Sequence, residues 1–142
     1  TVGGNSIPAG LSGLFEIRVT RAGEVVQFCE IDAVTHHSCE WNPLGCGVEV
    51  EYHPAYHDSI FTDASRTATA GVVKWLHTTR AIPLDYYAFD SGPRLPLGSP
   101  YTGFVAHGSL VHQACDQHSD FWPRDGLFGS GIFSPICFIT SS

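Results

Sequence analysis

The sequence contains no methionine, only one lysine, and few charged residues of either sign. Charged side chains make up 15% of the chain, below the roughly 25% that is usual for soluble domains. No apolar run reaches the ~18 residues that a membrane-spanning helix needs, so we expect no transmembrane segment. The formal net charge is −7, and the basic residues form no cluster. Because such a chain repels phosphate backbones, we expect no binding to nucleic acid.

The amino terminus has neither an initiator methionine nor a basic leader followed by an apolar stretch. We interpret Thr1 as the first residue of a mature chain after removal of a signal peptide, which predicts secretion. Five cysteines in 142 residues favour the same oxidising compartment. No motif in the sequence indicates a bound cofactor.

Turn-forming residues are abundant, with fifteen glycines and nine prolines, and this favours short strands over long helices. Phe15, Ile17 and Val19 alternate with polar residues and predict a strand over residues 14–20, paired as a hairpin with a strand over residues 24–31. Further strands are predicted over residues 47–52, 66–77, 84–89 and 132–140, and a broken strand or hairpin is predicted over residues 101–115. Within residues 66–77, Gly71 and the β-branched side chains favour a strand over a helix.

These patterns predict an all-β fold, a single-domain antiparallel β-sandwich or barrel with long loops rich in glycine and proline. The β domain would span residues 14–142. Residues 1–13, which carry almost no periodic signal, would form an extended amino-terminal arm.

The five cysteines lie at positions 29, 39, 46, 115 and 137, so at most two disulfides can form within the chain. Sequence alone does not choose among the possible pairings. We prefer a disulfide between Cys29 and Cys39, which would link a polar connection to the preceding strand. A second disulfide between Cys115 and Cys137 would link an irregular region to the last strand. Cys46 is then unpaired, and is either buried or links two chains.

Histidine and aromatic side chains concentrate in the predicted loops, where they suit the recognition of a glycan or an extracellular protein. The same rings would otherwise cover the ends of a small β core. The predicted binding residues are His36, His37, Trp41, Tyr52, Tyr56, His57, Phe121, Trp122 and Arg124. We therefore predict a secreted, disulfide-stabilised binding module rather than an enzyme.

A small secreted hydrolase of the ribonuclease type is the alternative. Glu49, Glu51 and His53 share strand parity and would project together, with His57 nearby. A histidine and a carboxylate in such a group can act as general acid and base. Arg66 or Arg80 would then offset the charge of an anionic substrate.

Three further hypotheses use the same residue types. His36, His37, His53 and His57 offer imidazole ligands for zinc, although their spacing matches no zinc finger. Cys115, with His112 or His118, would be a nucleophile if its thiol were free. A self-assembling extracellular subunit would form homo-oligomers through Cys46 or the amino-terminal arm.

Residues 25–29 read V-V-Q-F-C, and residues 36–41 read H-H-S-C-E-W. This pattern resembles the small secreted β-barrel allergens of fungi, in which a strand ends in a cysteine and a second cysteine follows. The likeness is confined to these two motifs. It implies a secreted β-barrel and implies no activity.

Overall fold

The computed structural model describes residues 16–36, 39–51, 61–87 and 93–115, together with the backbone of residues 136–140. These residues contain six strands and one long helix. The elements are β1 (Ile17–Val19), β2 (Val25–Gln27), β3 (Gly45–Val50), α1 (Asp63–Arg80), β4 (Tyr86–Tyr87), β5 (Gly103–Ala106) and β6 (Ile136–Thr140). Two short 3₁₀ helices, Cys39–Leu44 and His107–Ser109, precede β3 and follow β5. The predicted amino-terminal arm lies outside the described residues.

The six strands form one mixed sheet in the order β2-β1-β3-β6-β5-β4. β1 pairs antiparallel with β2, as the alternation of apolar residues predicted, but it pairs parallel with β3. β4 and β5 are also parallel, and β6 joins the two groups of strands by antiparallel pairing with β3 and β5. α1 lies between β3 and β4 in the chain, and it therefore connects the β2-β1-β3 group of strands to the group of β4 and β5.

Residues 66–77 belong to α1, so the strand predicted there is wrong, and so is the all-β sandwich or barrel. The helix begins with a capping box, in which the Thr62 hydroxyl accepts from the Ser65 backbone N–H at 3.0 Å. The Ser65 hydroxyl in turn accepts from the Thr62 backbone N–H at 3.0 Å. Buried side chains then recur at helical spacing, at positions 65, 69, 72, 73 and 76. Packing of this stripe outweighs the strand propensity of the β-branched residues.

The sheet carries a hydrophobic core on each face. The larger core lies under α1 and includes Ile17, Val19, Val48, Val50, Phe61, Val72, Val73, Leu76, Ile82 and Phe104. The smaller core contains Trp41, Leu95, Val105 and Leu110. Val105 follows Phe104 in β5, and successive strand residues point to opposite faces. The single sheet therefore has an apolar layer against both faces.

Cys39 is disulfide-bonded to Cys115, which is 76 positions away. Both predicted pairings, Cys29 with Cys39 and Cys115 with Cys137, are therefore wrong. The sheet brings the 3₁₀ helix before β3 close to the segment after β5, and the disulfide joins these two segments. Cys46 forms no disulfide, as predicted, and neither does Cys29.

Candidate functional site

A cleft of about 390 Å³ opens between the carboxyl-terminal half of α1 and strands β4 and β5. Its apolar lining consists of Ala70, Val73, Leu84 and Phe104. Its polar lining consists of Lys74, His77, Thr78, Asp85 and Tyr86. We call these residues the α1–β5 cleft.

One side of α1 supplies the basic residues of the α1–β5 cleft. His77 and Thr78 lie three and four residues after Lys74, which places both on the side of the helix that carries Lys74. The opposite wall is formed by residues 84–86 and by Phe104 of β5. The backbone N–H of Phe104 donates to the Asp85 carbonyl at 2.8 Å, which fixes this wall to the sheet.

The imidazole of His77 is oriented by the backbone after α1. Its Nδ1 atom lies 2.7 Å from the carbonyl oxygen of Ile82. A carbonyl oxygen only accepts hydrogen bonds, so Nδ1 carries the proton, and Nε2 of the neutral ring keeps its lone pair. His77 can therefore accept a hydrogen bond or a proton from a molecule in the α1–β5 cleft.

Lys74 and Asp85 bring opposite charges to the α1–β5 cleft. Neither side chain forms an ion pair within the part of the chain that the structure describes. Ion pairs in that part join Arg18 with Glu51, Arg66 with Asp63, and Arg80 with Asp32. As far as the described residues go, the ammonium of Lys74 and the carboxylate of Asp85 are therefore open to charged or hydrogen-bonding groups of a ligand.

Most of the residues predicted to bind a ligand lie outside the described residues, namely His37, Tyr52, Tyr56, His57, Phe121, Trp122 and Arg124. His36 is described and is exposed. Trp41 is only 1% exposed, and its Nε1 donates to the carbonyl oxygen of Val111 at 2.8 Å. Trp41 is therefore a core residue that anchors the segment after β5, and it is not part of a binding surface.

The acid–base group of the hydrolase alternative is described only in part. Glu49 lies in β3 and Glu51 directly follows this strand, and both are half-buried. Glu51 accepts a charged hydrogen bond from Arg18 at 3.2 Å. His53 and His57 lie outside the described residues, so their grouping with the two glutamates stays a prediction.

The described residues offer little to a metal ion. Of the four histidines considered for zinc, only His36 is described. One group of potential ligands lies close together in the described ranges, formed by Cys39, Glu40 and Cys115. Its two sulfur atoms form the disulfide, so they are not available as thiolate ligands. For the same reason, the hypothesis that Cys115 is a free nucleophile is wrong.

A polar cluster lies beside the disulfide. His107 and His112 are buried, and their Nε2 atoms are 3.3 Å apart. Glu40 accepts from the backbone N–H groups of Gln113 and Ala114 at 2.6 and 2.9 Å. The backbone N–H of Glu40 itself, and then those of Ala114 and Gln113, lower the pKa of this carboxyl group. These contacts fix the segment after β5, so we assign the cluster to the stability of the fold.

Glu16, which directly precedes β1, carries a buried carboxyl group. Its Oε2 atom accepts from the backbone N–H of Gly47 at 2.6 Å. Burial raises the pKa of Glu16 to about 7, although hydrogen bonds from Gly47 and Thr35 act in the opposite direction. Glu16 is fully buried and does not line the α1–β5 cleft.

Cys46 is a buried thiol on the α1 side of β3, and it lines a cavity of about 260 Å³ together with Asp32 and Arg80. Burial raises the pKa of this thiol far above its ordinary value, which keeps it protonated and unreactive. Of the two alternatives left open for Cys46, the structure therefore agrees with the buried one, because the sulfur lies inside the fold.

Sequence reasoning missed Lys74, His77 and Asp85 as site residues. The signal that could have identified two of them is the T-D-A-S sequence at positions 62–65, a helix start with a capping box. A helix beginning there would have placed Lys74 and His77 together. No comparable local signal marks Asp85, because strand pairing brings it to the cleft.

No helix within the described ranges combines the length and the apolar character that crossing a bilayer requires. Comparison with family models, with curated proteins and with solved structures finds no match to this chain. What the chain does must therefore be inferred from its own residues.

Proposed function

We propose that this chain is a secreted binding module that takes a small amphipathic ligand into the α1–β5 cleft. The observation that supports the proposal is a cleft of about 390 Å³ with an apolar floor and a polar rim. Ligand sites in proteins are usually concave and largely apolar, with volumes of roughly 300–1,000 Å³ and a few polar groups that orient the ligand. The α1–β5 cleft has each of these properties.

The lining indicates a ligand with an apolar body. Val73 and Phe104 form a fixed apolar floor, while Leu84 is 51% exposed at the rim. Covering Leu84 with an apolar group would stabilise the complex by about 1 kcal/mol, because exposed apolar surface leaves water. A glycan fits this floor less well than an aliphatic or aromatic group, since the floor offers few hydrogen-bonding partners. Of the two partners expected from the sequence, this leaves an extracellular protein, which would place an apolar side chain in the cleft.

The rim indicates an anionic end on the ligand. The ammonium of Lys74 forms no ion pair within the described residues, and His77 lies one helical turn away. A carboxylate or sulfonate would pair with Lys74, and a hydrogen-bond donor beside it would bind to Nε2 of His77. Asp85 would repel a second negative charge, so we expect a single anionic group with a hydrogen-bond donor beside it.

Secretion is part of the same proposal. A disulfide such as Cys39–Cys115 persists in oxidising compartments and is rare where thiols are kept reduced. Because the bond joins two segments of the smaller core, the fold would depend on such a compartment.

Titration with 1-anilinonaphthalene-8-sulfonate, a small apolar anion, tests the binding proposal. We expect saturable binding at one site and enhanced emission. Leu84→Asp and Lys74→Gln should each weaken binding by about five- to tenfold, since each removes roughly 1–1.4 kcal/mol of favourable contact. Leu97→Asp is the matched control, because Leu97 is 38% exposed and does not line the cleft. Equal affinity in all four proteins would contradict the proposal.

Hydrolysis in the same cleft is a second candidate function. The orientation of His77 favours it, since the proton on Nδ1 leaves Nε2 able to act as a general base. A hydrolase would be supported if the protein hydrolysed p-nitrophenyl esters and the substitution His77→Gln abolished this turnover. Unchanged dye binding by His77→Gln, with no turnover by either protein, would leave binding as the function.

A further inference from the structure

β2 lies at one end of the sheet and pairs with β1 along one side only. Thr20 donates its backbone N–H to the carbonyl of Glu24 at 2.9 Å, and Phe28 donates to the carbonyl of Glu16 at 2.8 Å. Glu24 with Thr20, and Phe28 with Glu16, are thus hydrogen-bonded pairs of the antiparallel ladder. Such pairs alternate with non-hydrogen-bonded pairs, so Val26 also faces β1 with both of its backbone groups.

The backbone groups of Val25 and Gln27 therefore point away from β1. Within the described ranges, no strand pairs with that side of β2. Each of the two residues presents one N–H and one carbonyl group at the sheet edge. An exposed row of this kind is a template on which another extended chain can form a strand.

A groove of about 440 Å³ lies along the same edge, between β2 and α1. Val25 and Gln27 line it from the sheet, and Ala68, Gly71 and Trp75 line it from the helix. We call it the edge groove. Trp75 is 42% exposed, and no atom lies within 4 Å of the position that a side chain on Gly71 would take. The two residues with outward backbone groups thus also contribute side chains to an apolar groove.

We propose that β2 and the edge groove bind an extended, basic peptide segment of a partner protein, which adds a strand to the sheet. The outward groups of Val25 and Gln27 specify an extended backbone, and the groove accepts apolar side chains at alternate positions. Glu24 precedes β2 directly and Glu30 follows it closely, and both are exposed. Neither carboxylate forms an ion pair within the described residues, so lysine or arginine near the peptide ends would complement them.

A capped heptapeptide with lysine at each end and alternating valine and threonine between them is the probe. Amide hydrogen exchange measured by NMR supplies the readout that is specific for strand addition. At saturation, the amides of Val25 and Gln27 should exchange at least tenfold more slowly. The amide of Val26 should not change, because it already donates to β1. Emission from Trp75 should change over the same range of peptide concentration.

Two controls separate strand addition from other contacts. The same peptide N-methylated at each of its five central residues loses the hydrogen-bond donors on both of its edges and should not bind. Gln27→Pro removes an outward N–H without removing a bond to β1, and it should weaken binding at least tenfold. Gln27→Thr keeps this N–H and should bind nearly as well as the wild type. The N-methylated peptide tests the proposal even if the proline variant does not fold.

Equal binding of the N-methylated peptide, or no binding at millimolar peptide, would overturn the proposal. Protection of Val25 and Gln27 that rises with protein concentration and without peptide would overturn it in favour of pairing between two copies of this chain.

Discussion

Burial opposes the ionisation of one carboxyl group in this protein, that of Glu16. Glu16 is buried, and its raised pKa of about 7 means that the folded protein holds a proton on this carboxyl at mildly acidic pH. In the unfolded chain the same group ionises near its ordinary pKa of 4.5. Between these two values the folded state binds more protons than the unfolded state. The contribution of Glu16 to stability is therefore present below pH 4.5 and is lost as the pH rises to about 7.

Glu16→Gln should remove much of this pH dependence, because glutamine keeps an acceptor for the Gly47 N–H and carries no charge. We expect the free energy of unfolding of the variant, relative to the wild type, to be about 1–3 kcal/mol higher at pH 8 than at pH 4. Urea denaturation at both pH values measures this difference. A constant difference between the two proteins would show that Glu16 ionises normally inside the fold.

At the scale of elements, α1 and the β1–β2 hairpin support each other. The Thr62 hydroxyl, which caps α1, also donates to the carbonyl of Arg21 in the hairpin turn. Gly23 in that turn has a φ of +83°, and a side chain there would meet the carbonyl oxygen of Ala64 at 2.9 Å. The hairpin can approach the first turn of α1 this closely only because position 23 is glycine.

Two glycine substitutions should have opposite effects on stability. Gly23→Ala should lower the free energy of unfolding by about 1–3 kcal/mol, through backbone strain and contact with α1. Gly71→Ala should raise it by about 0.5–1 kcal/mol, because Gly71 lies within α1 with open space around it. Thermal unfolding followed by circular dichroism measures both. A Gly71→Ala variant that is less stable than the wild type would contradict the open space that surrounds this position of α1.

The hairpin could be predicted from sequence because its signal is local. Ile17 and Val19 alternate with polar neighbours, and Gly23 provides the turn. α1 could not be recognised from composition, because threonine, valine and glycine favour strands, and only its capping box and the spacing of its buried residues indicate a helix. The α1–β5 cleft was missed with it, since its basic residues come together only on a helix.

At the scale of the whole molecule, the disulfide joins segments that the sheet topology brings together. Cys39 precedes β3 and Cys115 follows β5, and these strands are separated by α1 in sequence. No rule based on sequence distance selects this pair, because it depends on the position of β6 between β3 and β5. This dependence explains why both pairings chosen from sequence were wrong, although Cys46 was recognised as unpaired.

Replacing both Cys39 and Cys115 with alanine should lower the free energy of unfolding by about 3–4 kcal/mol, since the bond closes a loop of 76 residues. Cys29→Ala is the control and should have a small effect, because Cys29 forms no disulfide and is only half-buried. Urea denaturation compares the variants, and peptide mapping without reductant checks the bond itself. Recovery of a peptide joined through Cys29 would contradict the connectivity.

α1 packs on a mixed sheet, and we propose that the cleft beside it binds an apolar anion. Backbone NMR spectra recorded during titration with 1-anilinonaphthalene-8-sulfonate test this claim most directly. We expect saturable shifts grouped at Val73, Lys74, Leu84, Asp85 and Phe104, three separate segments that the fold brings together. Shifts that do not saturate, or saturable shifts that leave these five amides unchanged, would contradict it.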